Sequence, residues 1–202
     1  CYVFPHQGTQ RDPRQRARRL AGSGGGRDTK RNEKVTAKQR EQIVAQVLNI
    51  GNKSDEWRAR RLSNFSADPL VLEGERMASV EGFIQGTKFP EGHPTRQQAF
   101  RSVGVEAKRL GKNAERRFVW WRGRAIPYGS SEHHELIEKA IRAKFEQNPG
   151  AMEALLATEG MTLTHNLGHP DPSNTSLPAT VFCGILTRIR EEILDSQKGI
   201  GR

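Results

Sequence analysis

With 202 residues and a net charge of +10, the chain is long enough for one ordinary domain plus an appendage. Its 34% hydrophobic content is low for a protein that is core throughout, and nothing approaches the ~20 uninterrupted apolar residues of a membrane span. Two cysteines, Cys1 and Cys183, make no disulfide framework; read as reduced thiols, they lead us to expect a cytoplasmic location. No signal peptide is visible, and the chain opens at Cys1 rather than Met, as a piece of a longer polypeptide would.

The charge is uneven. Residues 1–42 hold eleven Lys/Arg against four acids, which accounts for +7 of the total. Arg11 to Arg19 is an arginine run without apolar periodicity, and Ala21-Gly22-Ser23-Gly24-Gly25-Gly26 reads as a flexible linker. Residues 1–35 are therefore expected to form a basic, flexible arm whose natural partners are polyanions, nucleic acid first, through counterion release. A solubilising tail that binds nothing specific would have the same composition.

From 36 to 195 the pattern is that of a single α+β domain, mostly helical with a small β-sheet, and 196–202 reads as a C-terminal tail. Thr36 can cap a helix to about Leu48, although Val47 to Ile50 reads equally as a short strand stopped by Gly51-Asn52. Leu62 to Ser66 is a polar-aromatic turn, and Pro69 to Gly74 suits an edge strand closed by a glycine turn. A central helix follows and ends at Phe89-Pro90-Glu91-Gly92. A second helix is expected from about Thr95 to Leu110, stopped by Gly111. Arg116 to Arg124 interleaves aromatics with arginines; the mixture suits base stacking with phosphate contact, or a half-buried strand with a charged outer face. Ser130 or Ser131 caps a helix to about Gln147 that buries Leu136, Ile137, Ala140, Ile141 and Phe145, with Asn148-Pro149-Gly150 as its stop. Ala151 to Thr158 is a short helix, Met161 to His165 alternates like a strand, and 166–177 is loop. A last helix runs from Pro178 to Gly199, with Val181, Phe182, Ile185, Leu186, Ile189 and Ile193 in one stripe.

The central stretch, Ser79 to Phe89, organises the rest. At about 100° per residue, Glu81, Gln85 and Lys88 fall on one narrow stripe, beside a mostly apolar stripe of Val80, Phe83, Ile84 and Thr87. Gly82 and Gly86 form a third, and each costs roughly 1 kcal/mol relative to Ala inside a helix. Such a sequence fits a helix that another backbone approaches closely and that presents a carboxylate, an amide and an amine to a site. An exposed Glu–Lys face has the same spacing.

Metal chemistry finds little support. His133 and His134 are adjacent on a helix and point about 100° apart, and His165 and His169 lack a carboxylate or thiol at ligand spacing. No phosphate-cradling, dinucleotide-binding or nucleophile-elbow motif is present, so neither a metal nor a cofactor is expected.

The order of pieces is familiar. Leu62-Ser63-Asn64-Phe65, Leu72-Glu73-Gly74 and Ser79-x-Glu81-x-Phe83-x-Gln85-x-x-Lys88-Phe89 resemble the opening signature of the NADAR (NAD and ADP-ribose) superfamily. Ala107-Lys108-Arg109-Leu110-Gly111, Ala143 to Asn148, Leu155-Leu156-Ala157-Thr158 and Ile185-Leu186-x-x-Ile189-Arg190-Glu191 agree in order and spacing. The resemblance spans about Ile50 to Ile193. It departs where the family usually has Ser-Glu-His-Tyr and this chain has Val80-Glu81-Gly82-Phe83, and where Leu163-Thr164-His165 stands for Leu-Val-Glu. It departs again where Asp171 to Pro178 replaces a glycine-rich loop, and Trp120 to Tyr128 is not typical.

The resemblance implies cleavage of N-glycosidic bonds to ribose, in riboflavin-pathway intermediates or ADP-ribosylated guanine bases. Lys88 would attack the anomeric carbon as a desolvated amine, and Glu81 would shuttle protons and help set its pKa. An ammonium at Lys88 that binds pyrophosphate is the alternative. Asn64 and Gln85 would hold ribose hydroxyls, Trp120 or Trp121 would stack on the base, and Phe65 and His165 complete the expected substrate-binding set. The leading expectation is an N-glycosidase removing ADP-ribose from a base, guanine in nucleic acid above all, acting as an antitoxin against a partner toxin. A riboflavin-intermediate glycosidase and a non-catalytic domain binding ADP-ribose or nucleic acid are the alternatives.

Overall fold

The computed structural model describes residues 47–200. The arm expected at 1–35 and the stretch 36–46 lie outside the described residues. In chain order the elements are β1 (Val47–Asn49), α1 (Trp57–Leu62), β2 (Leu70–Leu72), β3 (Glu75–Met77), α2 (Val80–Gly86), α3 (Pro94–Phe100) and α4 (Gly104–Leu110). They continue with β4 (Phe118–Trp121), β5 (Arg124–Pro127), α5 (Ser131–Gln147), α6 (Pro149–Leu156), β6 (Thr162–Thr164) and α7 (Ala179–Ile200). The architecture is α+β, with the strands confined to three two-stranded ribbons.

The helix α2 is buried along its whole length and packs against α3, α4 and α5. Ser79 starts it: its hydroxyl accepts from Gly82 N–H at 2.9 Å and donates to Ser102 O at 3.0 Å, so a single side chain caps one helix and fastens another. The glycines allow the approach. A Cβ at Gly82 would lie 2.6 Å from Ala99 O and 2.7 Å from Ser102 O, and one at Gly86 would lie 2.4 Å from the Phe100 ring. With the backbones this close, Phe83 stacks on Phe100 at 6.5 Å and meets Trp121 edge-on at 5.2 Å. Removing a ring of this kind from such a core costs about 3–5 kcal/mol.

Around that centre the ribbons act as brackets. β1 pairs in parallel with β6, Leu48 opposite Leu163. β2–β3 and β4–β5 are antiparallel hairpins whose turns place Glu73 and Arg122 at positive φ (49° and 51°), each followed by a glycine. Trp120 N–H donates to Thr87 O at 2.7 Å, tying β4 to the end of α2. Buried Arg96 donates to Phe89 O and Trp120 O, closing the same corner.

Several elements differ from the reading of the sequence. Of the two readings of Val47 to Ile50, the strand holds, over Val47–Asn49. The six-residue α1 was not anticipated, because Trp57-Arg58-Ala59-Arg60-Arg61-Leu62 buries only Ala59 and Leu62 and carries no apolar stripe. The helix expected from Thr95 to Leu110 is two helices. Phe100 O accepts from Ala78 N–H at 2.7 Å and Ser102 O from the Ser79 hydroxyl, so both carbonyls are spent outside the helix; Gly104 turns the chain at φ 53°. Pro149 does not merely end α5 but opens α6 at its first turn, with Asn148 shared between the two helices. β5 was not anticipated either, and α7 continues to Ile200 through most of the stretch read as a tail.

The close approach at Gly82 gives a paired expectation. Gly82→Ala forces a methyl onto two backbone oxygens and should destabilise by about 1–3 kcal/mol, more than its helix-propensity gain. Gly184→Ala, in α7 with nothing within 4 Å of the new methyl, should stabilise by up to about 1 kcal/mol. Urea unfolding midpoints of the two variants check both signs.

Candidate active site

Glu81, Gln85 and Lys88 point the same way, as their spacing requires, and their side chains touch end to end. Gln85 Nε2 donates to Glu81 Oε1 at 2.8 Å, and Lys88 Nζ donates to Gln85 Oε1 at 2.6 Å. Lys88 sits just past the last helical residue, in the turn that Thr87 begins, and Nζ also lies 3.5 Å from Gly111 O. All three side chains are buried. Gly111 is glycine because of Gln85: a Cβ there would fall 1.9 Å from Gln85 Oε1. Its φ of −88° needs no glycine, so the residue makes room for the amide rather than for a left-handed turn.

Burial sets the electrostatics. Desolvation raises the Glu81 carboxyl above its ordinary range, against the opposing pull of its hydrogen bond from Gln85 and the nearby Lys108 and Lys88 charges. Desolvation likewise brings the Lys88 ammonium down to about 8; the Glu81 charge resists, and Arg116 and Lys108 add to the fall. Both groups thus lean toward their neutral forms, an amine beside a carboxylic acid, joined by an amide that serves either protonation state. Because the native amine binds fewer protons than the unfolded one between about 8 and 10.5, folding stability rises with pH across that window.

The chain of three lies against a cavity of about 360 Å³. Asn64, Phe65, Glu81, Gln85, Lys88 and His165 all line it. Asn64 also fixes the geometry from the backbone, since its carbonyl accepts Glu81 N–H at 2.9 Å. His165 Nδ1 lies 2.8 Å from Ile50 O, which can only accept, so Nδ1 donates there and fixes the ring. Trp120 and Trp121 do not line the cavity. Trp121 faces inward, packed on Phe83 with its indole N–H donating to Glu73 at 3.0 Å, and Trp120 pairs with Phe118 on the other face of β4. The alternation along β4 puts the two indoles on opposite faces, and neither reaches the cavity.

Tyr128, at the end of the same hairpin, takes the place expected for a tryptophan. Its ring lies 5.9 Å from Lys88 Nζ and is backed by buried His133, whose imidazole burial keeps neutral, with a pKa of about 4. Lys108 and Arg116 add cations to the wall, Lys108 over the Phe65 ring at 5.7 Å. Lys108 stands in the Ala107–Gly111 piece and Arg116 in the arginine–aromatic stretch, so both were in view without a role. The replaced loop supplies the remaining wall through Asp171, Asn174, Ser176 and neighbours.

Residues 56–191 match the family described as bacteriophage protein GP30.3. An uncharacterized 17.1 kDa protein from the Gp30–rIII intergenic region of Enterobacteria phage T4 is 28% identical over 142 residues, 68% of this chain and 93% of that protein. N-glycosidase YbiA of Shigella flexneri is 31% identical over 124 residues, covering 59% of this chain and 71% of YbiA. The NMR structure of E. coli YbiA has the same fold, with a TM-score of 0.55 at 22% identity over 75% of this chain and 87% of that one.

The lowered Lys88 pKa can be read directly. After reductive ¹³C-methylation, the Lys88 resonance should titrate near pH 8, ahead of surface lysines near 10.4. Glu81→Gln removes the charge that holds the ammonium up, so the midpoint should fall further. A Lys88 midpoint at the surface value would remove the desolvated amine from the site.

Proposed function

The chain belongs to the bacteriophage protein GP30.3 family, within the NADAR superfamily, and from that premise we propose that it is an N-glycosidase removing ADP-ribose from a modified base, guanine in nucleic acid in particular. The observation that carries this reading is the buried Lys88–Gln85–Glu81 chain on one cavity wall. Breaking a ribosyl C–N bond develops positive charge at the anomeric carbon. A neutral amine adds there while the bond to the base nitrogen breaks, and the Glu81 carboxyl supplies the proton the departing base needs. Loss of a proton from Nζ and opening of the ribose ring at its oxygen leave a Schiff base. Water adds to that carbon, the amine departs, and ADP-ribose is released.

The rest of the cavity suits the same ligand. Asn64 makes no side-chain hydrogen bond to another described residue and lines the cavity, which leaves its amide for a ribose hydroxyl. Lys108 and Arg116 match a diphosphate, and Tyr128 offers an aromatic face. The arginine run at 11–19 favours a polymer over a small metabolite.

One assay separates the readings: the protein is incubated with guanine-ADP-ribosylated DNA and, in parallel, with a ribosylaminopyrimidine phosphate. Cleavage of the first alone supports the proposal, cleavage of the second alone makes the chain a riboflavin-intermediate glycosidase, and binding of ADP-ribose without cleavage makes it a reader. On the active substrate, kcat/KM should follow a bell-shaped pH profile, because the step needs both a neutral Lys88 amine, with its pKa of about 8, and a protonated Glu81 carboxyl.

Lys88→Arg keeps a cation that can bind phosphate but cannot form an imine, so it should retain ligand affinity and lose cleavage. Borohydride added during turnover should trap a protein–ribose adduct in the parent and none in Lys88→Arg. Glu81→Gln should bind normally and turn over roughly 10²–10⁴-fold more slowly. An active Lys88→Arg enzyme without a trapped adduct would sink the covalent route.

A further inference from the structure

A second concavity adjoins the catalytic one. It has a volume of about 500 Å³ and is lined by Asn52, Trp57, Arg60, Arg61, Phe65 and Ser66. Asn52 and Phe65 line both hollows, so the two lie side by side at these residues.

Its composition is unusual for a surface that only faces water. Trp57 is 45% exposed, and among the described residues it is the sole aromatic in the set of exposed large hydrophobics. One exposed indole would mean little, but this one shares a groove with two arginines. Arg60 Nη1 donates to Ser54 O and Asp55 O, two backbone carbonyls that fix the side chain without neutralising its charge. Arg61 lies 2.7 Å from Asp68, yet the same buried carboxylate also faces Lys144 at 3.6 Å. One anion between two cations leaves the groove positive. A flat π-face flanked by fixed cations, leading into a cavity that takes a base and its sugar, matches a nucleic-acid strand rather than a free nucleotide.

We propose that this groove binds the single-stranded segment next to the modified nucleotide, one neighbouring base stacking on Trp57 and the adjoining phosphates meeting Arg60 and Arg61. This rests on the N-glycosidase reading for its biological use, although the groove's affinity for a strand does not depend on cleavage. The strand crosses the Ser63–Ser66 turn, so the nucleotide that enters the cavity and the base on Trp57 belong to one chain. A polymer substrate is thereby held at two points, and a mononucleoside at one.

The test uses the full chain and a short unmodified single-stranded DNA of about a dozen nucleotides, followed by fluorescence anisotropy across a salt series. Trp57→Ala should weaken binding roughly tenfold or more, and Trp57→Phe should restore most of it, because stacking tolerates a smaller ring. Arg60→Gln should lower the salt slope by about 1. Should the alanine variant fail to fold by circular dichroism, Trp57→Leu against Trp57→Phe makes the same comparison with apolar bulk retained. Unchanged affinity and slope in these variants would overturn the proposal, assigning strand binding to the basic residues 1–42 or the groove to a protein partner.

Cleavage then adds an independent arm. On ADP-ribosylated oligonucleotide Trp57→Ala should raise KM, while on ADP-ribosylated guanosine it should leave kcat/KM unchanged. Equal losses on both substrates would mean that Trp57 only supports the fold, and the groove proposal would fall. If the parent cleaves neither substrate, the enzymatic reading fails while the binding result still decides the groove.

Discussion

Everything at this site depends on burying a lysine and a glutamate side by side on one short helix. Taking a charged group out of water costs several kcal/mol unless it is paired or becomes neutral. The molecule meets part of that cost locally: the Gln85 amide joins both ends, donating to Glu81 and accepting from Lys88. Helical spacing alone brings the three into contact, but burial requires neighbouring backbone on the other faces of α2. Gly82 and Gly86 admit it, and Phe83, packed on Phe100 and Trp121, supplies the apolar contact that holds it there. The Glu81–Gln85–Lys88 stripe and the glycine stripe are thus two consequences of one packing arrangement.

A second buried polar cluster supports the facing wall. Lys144, on α5, has no exposed surface to speak of and donates to Arg61 O, Ser63 O and the Ser66 hydroxyl, with Asp68 as its counter-ion. Those bonds satisfy the carbonyls left over where α1 ends, and they fix the turn that carries Asn64 and Phe65. Burial lowers the Lys144 pKa to about 8, with Asp68 opposing the fall. The two lowered lysines serve different ends. Lys144 spends its protons on three fixed acceptors and Asp68 within the wall, whereas Lys88 has one short bond and an open cavity beside it.

What was legible in the sequence follows from this physics. The stripe of Glu81, Gln85 and Lys88 was legible because helical periodicity is local, and the glycines flagged a close neighbour without naming it. The neighbour, the Ala99–Ser102 corner, was hidden: its helix breaks because two carbonyls turn to Ala78 and Ser79, a tertiary bond that no pattern over 95–110 encodes. The tryptophans misled for a related reason. Period-2 alternation placed them on opposite faces of a strand, but which face met the cavity depended on the hairpin's partner β5, and it proved to be neither. Tyr128 entered instead from the end of that hairpin. Gly111 carried a readable signal of another kind, since a glycine at a helix stop whose backbone does not need one marks something pressed against it.

The cavity divides chemistry from selection. Glu81, Gln85 and Lys88 all come from α2 and the turn after it, a segment pinned at Ser79, Thr87 and Phe89 by hydrogen bonds to the link between α3 and α4, to β4 and to α3. Another part of the cavity's lining is the loop that stands where the NADAR pattern has glycines, and Asp171 fastens that loop to the start of α7 by accepting Ala179 N–H at 2.6 Å. Between Asp171 and Pro178 the backbone carries no element, so residues there can change without disturbing the amine, the amide or the carboxyl. The basic groove along α1 adjoins the cavity at Asn52 and Phe65. Under the proposed function, substrate choice would lie with rim and loop, set around a Glu81–Gln85–Lys88 chain that packing holds in place.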